Sequence, residues 1–513
     1  MPASSEPRPR GMTTVAMLAA AVAALILLPL VVVVGQALGL GWARAGEFLF
    51  RPRIGELLGH TAALMASTLP LTLVIGVGAA WLVERTDLPL AGFWRTMMLA
   101  PLAVPAFVSA YAWVSVRPQL AGFSGAALVT TLAYHPFVFL PVASMLRVLD
   151  GADENIARSL GLGRGRAVVR TVLPRLRPAI CGGGLIVALH LLAEYGVLEM
   201  MRYQTFTTAI LQQYAVGFSD GQGSLLASML ILLCVLVLTA EVVLRGRARV
   251  SRFGSGVPER PATVPLGRWT VPALLAMTVL VVLSVVVPVA QVVRWFAQAL
   301  SQGGVDLPAL ATVTGTSIGL AVVGGLAAVL AALPGAWLLS RHRSALTVVL
   351  ERVTFIASAL PGVVVALALV TLSVRNVHWL YQTTALLVIC YVILFVPRAM
   401  VSLRSGLAAS PPELSESAHS LGSGGPATFF RVVLPLSLPS FLTGFVLVAL
   451  AVVTELTATL LLAPTGMRTL ALAFWGASDE LDYVRAAPYA LMMIALSVPL
   501  TLLLRHQLQK ESR

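Results

Sequence analysis

The chain has 513 residues, 58% of them hydrophobic and only 11% charged, with a formal net charge of +13. So little charge excludes an ordinary soluble domain, whose surface must face water. Apolar stretches of about 20 residues recur along the chain, and helices of that length cross a bilayer with every backbone hydrogen bond made internally, so an all-α polytopic membrane protein is expected and a β-barrel is not.

Twelve spans are predicted in chain order, near residues 13–37, 59–83, 93–116, 124–146, 178–199, 223–244, 269–293, 312–339, 349–373, 380–402, 440–462 and 486–504. Arg8 and Arg10 precede the first, but Thr13 to Val34 is longer than the apolar core of a secretory signal and lacks a suitable cleavage site, which predicts a retained span. With the N-terminus placed in the cytoplasm, only 9 of the 35 Lys and Arg residues fall in outer segments, with Arg147–Arg177 and Arg245–Arg268 the richest inner stretches. The positive-inside rule therefore accounts for the basic excess, predicts both termini inside, and makes nucleic-acid binding unnecessary. Cys181, Cys234 and Cys390 are widely spaced in apolar surroundings and read as small core residues.

The chain repeats itself. Trp81, Pro105 and Pro141 precede Trp337, Pro361 and Pro397 by 256 residues; beyond them ARSLG (157–161) meets AHSLG (418–422), RTVLPRLRP (170–178) meets RVVLPLSLP (431–439), and Glu194 meets Glu455, at an offset of 261. A duplicated six-span unit is the simplest account, divided as residues 1–250, a cytoplasmic linker 251–268, and residues 269–513. Because six is even, the copies run parallel about an axis along the membrane normal and leave a pathway between them.

The loops between spans four and five and between spans ten and eleven carry the strongest functional signal. Each begins with a short helix, with Asp153 or Ser410 as a possible cap and Ile156 and Leu160, or Leu414, Ala418 and Leu421, as an apolar edge. Gly161 and Gly422 would end these helices, and Pro174 and Pro435 would break the segments that follow. A short apolar-edged helix displayed twice fits docking to a partner better than an ordinary connection.

These loops resemble the Glu-Ala-Ala loops of ABC importer permeases. In the second copy Glu416, Ala418, Gly422, Leu434 and Pro435 fit that pattern, with Ser417 in place of the first Ala. In the first copy only Ala157, Gly161, Leu173 and Pro174 fit, since Asn155 holds the Glu position and Glu154 lies beside it. The resemblance implies a type I importer permease fold, two separate ATP-binding subunits docked on the loops, an extracytoplasmic binding protein, a bacterial plasma or inner membrane, and no cofactor. Consistently, the chain's single lysine, Lys510, precedes Glu511, so it cannot serve a phosphate-binding loop. The stretches 192–210 and 454–475 look most like iron(III) permeases, with thiamine and 2-aminoethylphosphonate permeases as alternatives; an ion-gradient-driven transporter is the rival from another class.

His190, Glu194 and Glu455 are the candidate pathway residues. Glu194 is expected roughly 24 Å along its span beyond Pro178, facing Glu455 across the axis. The alternative is structural, with Glu194 pairing His190 and Glu455 bonding Thr457 or Thr459. Metal binding by His190, Glu194 and Glu199 is weakly indicated, and Asp220, Asp479, Glu480 and Asp482 could meet a binding protein.

Overall fold

The structure is a computed structural model describing residues 10–149, 151–217, 220–245, 263–341, 344–408, 410 and 412–510. Among these residues it is helical throughout, with one isolated bridge between Thr86 and Val264. Among the described residues, nine helices are long and apolar enough to cross a membrane. The other three expected positions hold a bent pair, Ala91–Ala103 with Ala106–Val116 at 89°, and two shorter apolar helices, Gly362–Asn376 and Tyr483–Pro499.

Two differences from the expected spans have a common cause in proline. The third span of each copy is not one helix. It breaks at Pro105 and again at Pro361, each the residue before a new helix start, where a missing N–H costs nothing. Pro174 and Pro435, in contrast, do not break the chain as expected. Arg164–Ala193 runs unbroken through Pro174 and Pro178. Before Pro435 a π turn, Phe429–Val433, loosens the ladder, and Leu434–Val453 continues it.

The copies interlock. Arg10–Gly39 packs against the last helix of its own copy, Asp220–Arg245, and against Leu307–Arg341, Ala345–Ser358 and Gly362–Asn376 of the other. The counterpart Val287–Ser301 packs against Tyr483–Lys510 of its own copy and Ala106–Val116 of the first, while Ala273, Met277 and Val281 join the first copy's core. Most of the linker, residues 251–262, lies outside the described residues. Its end is pinned to the first copy, where the Val264 N–H donates to the Arg85 carbonyl (2.8 Å) and the Leu266 N–H to Asp87 Oδ1 (2.7 Å). Cys234 and Cys390 are buried and Cys181 half-buried, all three free thiols.

Candidate functional site: two loop helices and a polar gap

The predicted loop helices form, as Ala152–Ser159 and Pro412–Ser420. Each ends in the same cap. Gly161 (φ 88°) and Gly422 (φ 83°) take the left-handed conformation that side chains resist. The N–H one residue on returns to the motif alanine, Leu162 to the Ala157 carbonyl (3.1 Å) and Ser423 to that of Ala418 (3.0 Å). The helix starts differ from expectation. Gly151, not Asp153, is the first N-cap and makes no side-chain bond, and the Ser410 hydroxyl is buried without a partner among the described residues. The apolar edges are bare: Ile156 is 56% exposed, Leu160 79%, Leu414 43% and Leu421 87%. Exposed leucines at the tips of two matching helices mark a surface that something else covers.

The loops are fastened differently. Glu154 does not project outward. It accepts a hydrogen bond from Arg85, which is 2% exposed at the end of Pro52–Arg85 and lies over the Trp81 ring. Asp153 pairs with Arg175 on the next helix, and Glu84 bridges Arg95 and Arg147 at 2.8 Å each. In the second copy Arg341 lies over Trp337 as Arg85 lies over Trp81, but Ser415 stands where Glu154 would be. The Nε and Nη2 of Arg341 and the Ser415 hydroxyl are buried without partners among the described residues. Leu414 and Leu436 occupy the positions of the Asp153–Arg175 pair, and Glu416 is exposed.

Glu194 and Glu455 sit where the fifth and eleventh spans stop, not along a continuing helix as expected. The helices end at Ala193 and Val453, and a short helix follows each break, Gly196–Met200 and Thr457–Leu462. Each carboxylate accepts the N–H three residues on, Val197 to Glu194 (2.9 Å) and Ala458 to Glu455 (3.0 Å). This is the bonding of an N-terminal helix cap, in which an acid satisfies exposed N–H groups and the positive end of the helix dipole. Glu455 also faces a second helix start: a side chain at Gly362 would reach its Oε1 at 3.1 Å, so the glycine makes room for the carboxylate. Glu194 takes its other bond from the Tyr134 hydroxyl rather than from His190. His190 instead bonds the Ile186 carbonyl (2.8 Å) and packs on Phe137, with ring centres 4.6 Å apart. The Thr459 hydroxyl donates to the Glu455 carbonyl and meets Tyr391 (2.8 Å). The two carboxylates are close enough for their charges to interact.

Beside them stands Arg398, a residue the sequence reading passed over although it is a lone basic side chain inside an apolar run. It lies fourteen residues from the start of Thr384–Ala408. Leu394, one turn before it, lies against Gly362, the glycine that faces Glu455, and the guanidinium is near enough to Glu455 and to His190 of the other copy for their charges to interact. The side chain is nonetheless exposed, as are Val401, Ser405 and Ala408, which follow it on one helical stripe toward the loop end. An exposed arginine in a spanning helix, close to charged groups of both copies, fits the space between the copies better than the lipid face.

At the opposite end the gap is shut by aromatic side chains from both copies. Tyr195 packs on Trp475 (5.3 Å), Phe107 and Tyr111 on Phe474 (5.5 and 5.0 Å), and Tyr111 on Tyr483 (4.9 Å). Glu199 borders this seal. Burial and the nearby charge of Asp479 push its carboxyl above the usual carboxylate range, against a bond from Gln212. Asp482 caps the last helix through the Arg485 N–H (2.9 Å), and Glu480 pairs with Arg485 (3.1 Å). The Asp220 side chain lies outside the described residues. No group of three metal-ligating side chains occurs among the described residues, so His190, Glu194 and Glu199 do not converge on a metal.

Comparisons with known proteins agree with this architecture. A model of the binding-protein-dependent transport system inner membrane component family matches residues 72–250 and again 324–513, one match in each copy. An Fe(3+)-transport system permease protein of Haemophilus influenzae is 34% identical over 93% of this chain and 95% of its own length. A ferric transport system permease protein of Actinobacillus pleuropneumoniae is 23% identical over 80% of this chain and 62% of its own. A sulfate transport system permease protein of Escherichia coli is 27% identical over 34% of this chain and 68% of its own.

Proposed function

This chain belongs to the family of binding-protein-dependent transport system inner membrane components, and from that premise we propose that it is the permease through which iron(III) passes from a binding protein to the cytoplasm. It is a multi-pass membrane protein and an ABC importer permease with both copies of the pathway in one chain. In the proposed orientation the loop helices and both termini face the cytoplasm, and the aromatic seal faces outward.

The observation that carries the mechanism is the pair of loop helices with bare apolar tips. Each would lie in a cleft on one of two separate ATP-binding subunits. Ile156 and Leu160 on one side, and Leu414 and Leu421 on the other, would become buried; Ala157 and Ala418 with Gly161 and Gly422 would hold the helix ends rigid. Glu416 would be offered to the partner, whereas Glu154 would act inwardly through Arg85. The helices run on through Pro174 and Pro435 into the following spans, so that closure of the ATP-binding subunits would draw the loops together and rock the copies apart at the aromatic seal. Glu194 and Glu455 would line the route as fixed helix caps, with His190 between them and the loop end.

Iron(III) as cargo rests on the ferric relatives and on the stretches 192–210 and 454–475. Reconstitution in proteoliposomes with the ATP-binding subunits and the binding protein encoded beside it tests the whole reading. ATP-dependent iron uptake is expected. Uptake that persists without the ATP-binding subunits in an ion gradient would overturn the mechanism, and a binding protein that holds thiamine instead would overturn the cargo.

A further inference from the structure

Nothing in the transport scheme above requires a guanidinium in the gap, and Arg398 has no counterpart in the first copy, where the corresponding residue is the fully buried Val142. An arginine at this depth is expensive to insert and is retained where it faces a cavity and does work there. Two bland roles fit poorly. As counter-charge to Glu455 it would be expected in contact, yet Glu455 is satisfied by the Ala458 N–H and faces the helix start at Gly362, and no ion pair or hydrogen bond fixes the guanidinium among the described residues. As a packing residue it would be buried, yet it is exposed, leaning only over the Phe395 ring (5.3 Å).

What remains is a planar fork of N–H donors at mid-membrane, pointing into the route, with His190 of the other copy beside it. The guanidinium itself would repel a bare trivalent cation, whereas Glu194 and Glu455 would attract one. A cation that arrives within a shell of carboxylate or phosphate oxygens would be held, because those oxygens accept two parallel N–H bonds from one guanidinium. The half-helix start at Ala106 also favours negative charge, whereas that at Gly362 is already met by Glu455.

We propose that Arg398 is a specificity-determining residue that engages an anionic oxygen ligand of the cargo, so that iron(III) crosses as a complex with a carboxylate or phosphate ligand and not as the free ion. This rests on the iron reading above. Binding protein, permease and ATP-binding subunits are reconstituted together, and radioactive iron(III) is supplied with citrate or with phosphate, each anion labelled in parallel experiments and also offered without metal.

Iron uptake by the unaltered protein tests the cargo; if none occurs, the iron reading fails, and the role of Arg398 is read from the labelled anions alone. Labelled anion should enter with the metal in a fixed ratio. Arg398→Gln should lower uptake of both by about tenfold or more, the loss of one charge-assisted contact, while ATP hydrolysis stimulated by the binding protein is kept. Arg398→Lys, which retains charge without the fork, should recover part of the rate. Uptake by Arg398→Gln at the unaltered rate, or iron entering with no labelled anion, would overturn the assignment. Should Arg398→Gln not assemble, the anion-to-iron ratio of the unaltered protein and the Arg398→Lys rate decide alone: a ratio near zero or an unchanged rate overturns it.

Discussion

The two loop ends descend from one repeat and share the cap that stops each helix, yet the first is bolted to its copy and the second is not. In the first, Arg85 reaches Glu154, Arg175 reaches Asp153, and Glu84 gathers Arg95 and Arg147. In the second, Ser415 leaves Arg341 unanswered among the described residues, Leu414 and Leu436 replace an ion pair, and the pair that remains, Glu351 with Arg404, is solvent-exposed. A repeat within one chain is free to diverge in this way, because each position then faces only one partner. The likeness therefore lies in what the loops present, and the difference in how they are held.

Breaking the bolt should have the largest effect. Glu154→Ala leaves the enclosed Arg85 charge without its acid, a loss of about 3 kcal/mol, seen as a lower melting temperature of the purified protein in detergent. Arg341→Ala, which removes no acid's partner, should change stability by less than about 1 kcal/mol. Equal losses would end the comparison. Next comes Gly422→Val, which strains a left-handed position by about 1–2 kcal/mol and should uncouple ATP hydrolysis from uptake. Gly161→Val should uncouple less, because ion pairs still hold its loop; full uptake by the double variant would refute a coupling role for both.

Ser415→Glu should give Arg341 the acid that Arg85 has and add about 1 kcal/mol, read again from the melting temperature; no gain would mean that the two arginine sites differ in more than this residue. The smallest effect is expected from Asp153→Leu with Arg175→Leu, which copies the second loop into the first. A half-exposed pair contributes about 0–1 kcal/mol, so uptake and melting should barely move.

The repeat, nine of the twelve expected spans and the two glycine caps were legible because each follows from a local rule, namely apolar length, recurrence, or a conformation only glycine adopts freely. Proline was read less well. Its effect depends on context: Pro105 and Pro361 start helices, whereas the helix ladder absorbs Pro174 and Pro435. The partners of charged residues were not legible at all. The structural alternative paired Glu194 with His190 from their spacing on one helix, but that helix stops at Ala193, and the bond comes from Tyr134 sixty residues away. Arg398 was visible as a charge within an apolar run, but only the fold shows that it faces the other copy.

The reciprocal packing of the first helices bears on how the protein is made. Arg10–Gly39 is synthesised long before the helices between Leu307 and Asn376, yet much of its packing surface belongs to them. Until those are synthesised, the helix can lodge only against lipid, its neighbours or a helper protein. Each copy therefore completes its surface only in the presence of the other, and severing the chain near residue 250 should yield fragments that are stable when co-expressed and degraded when either is made alone.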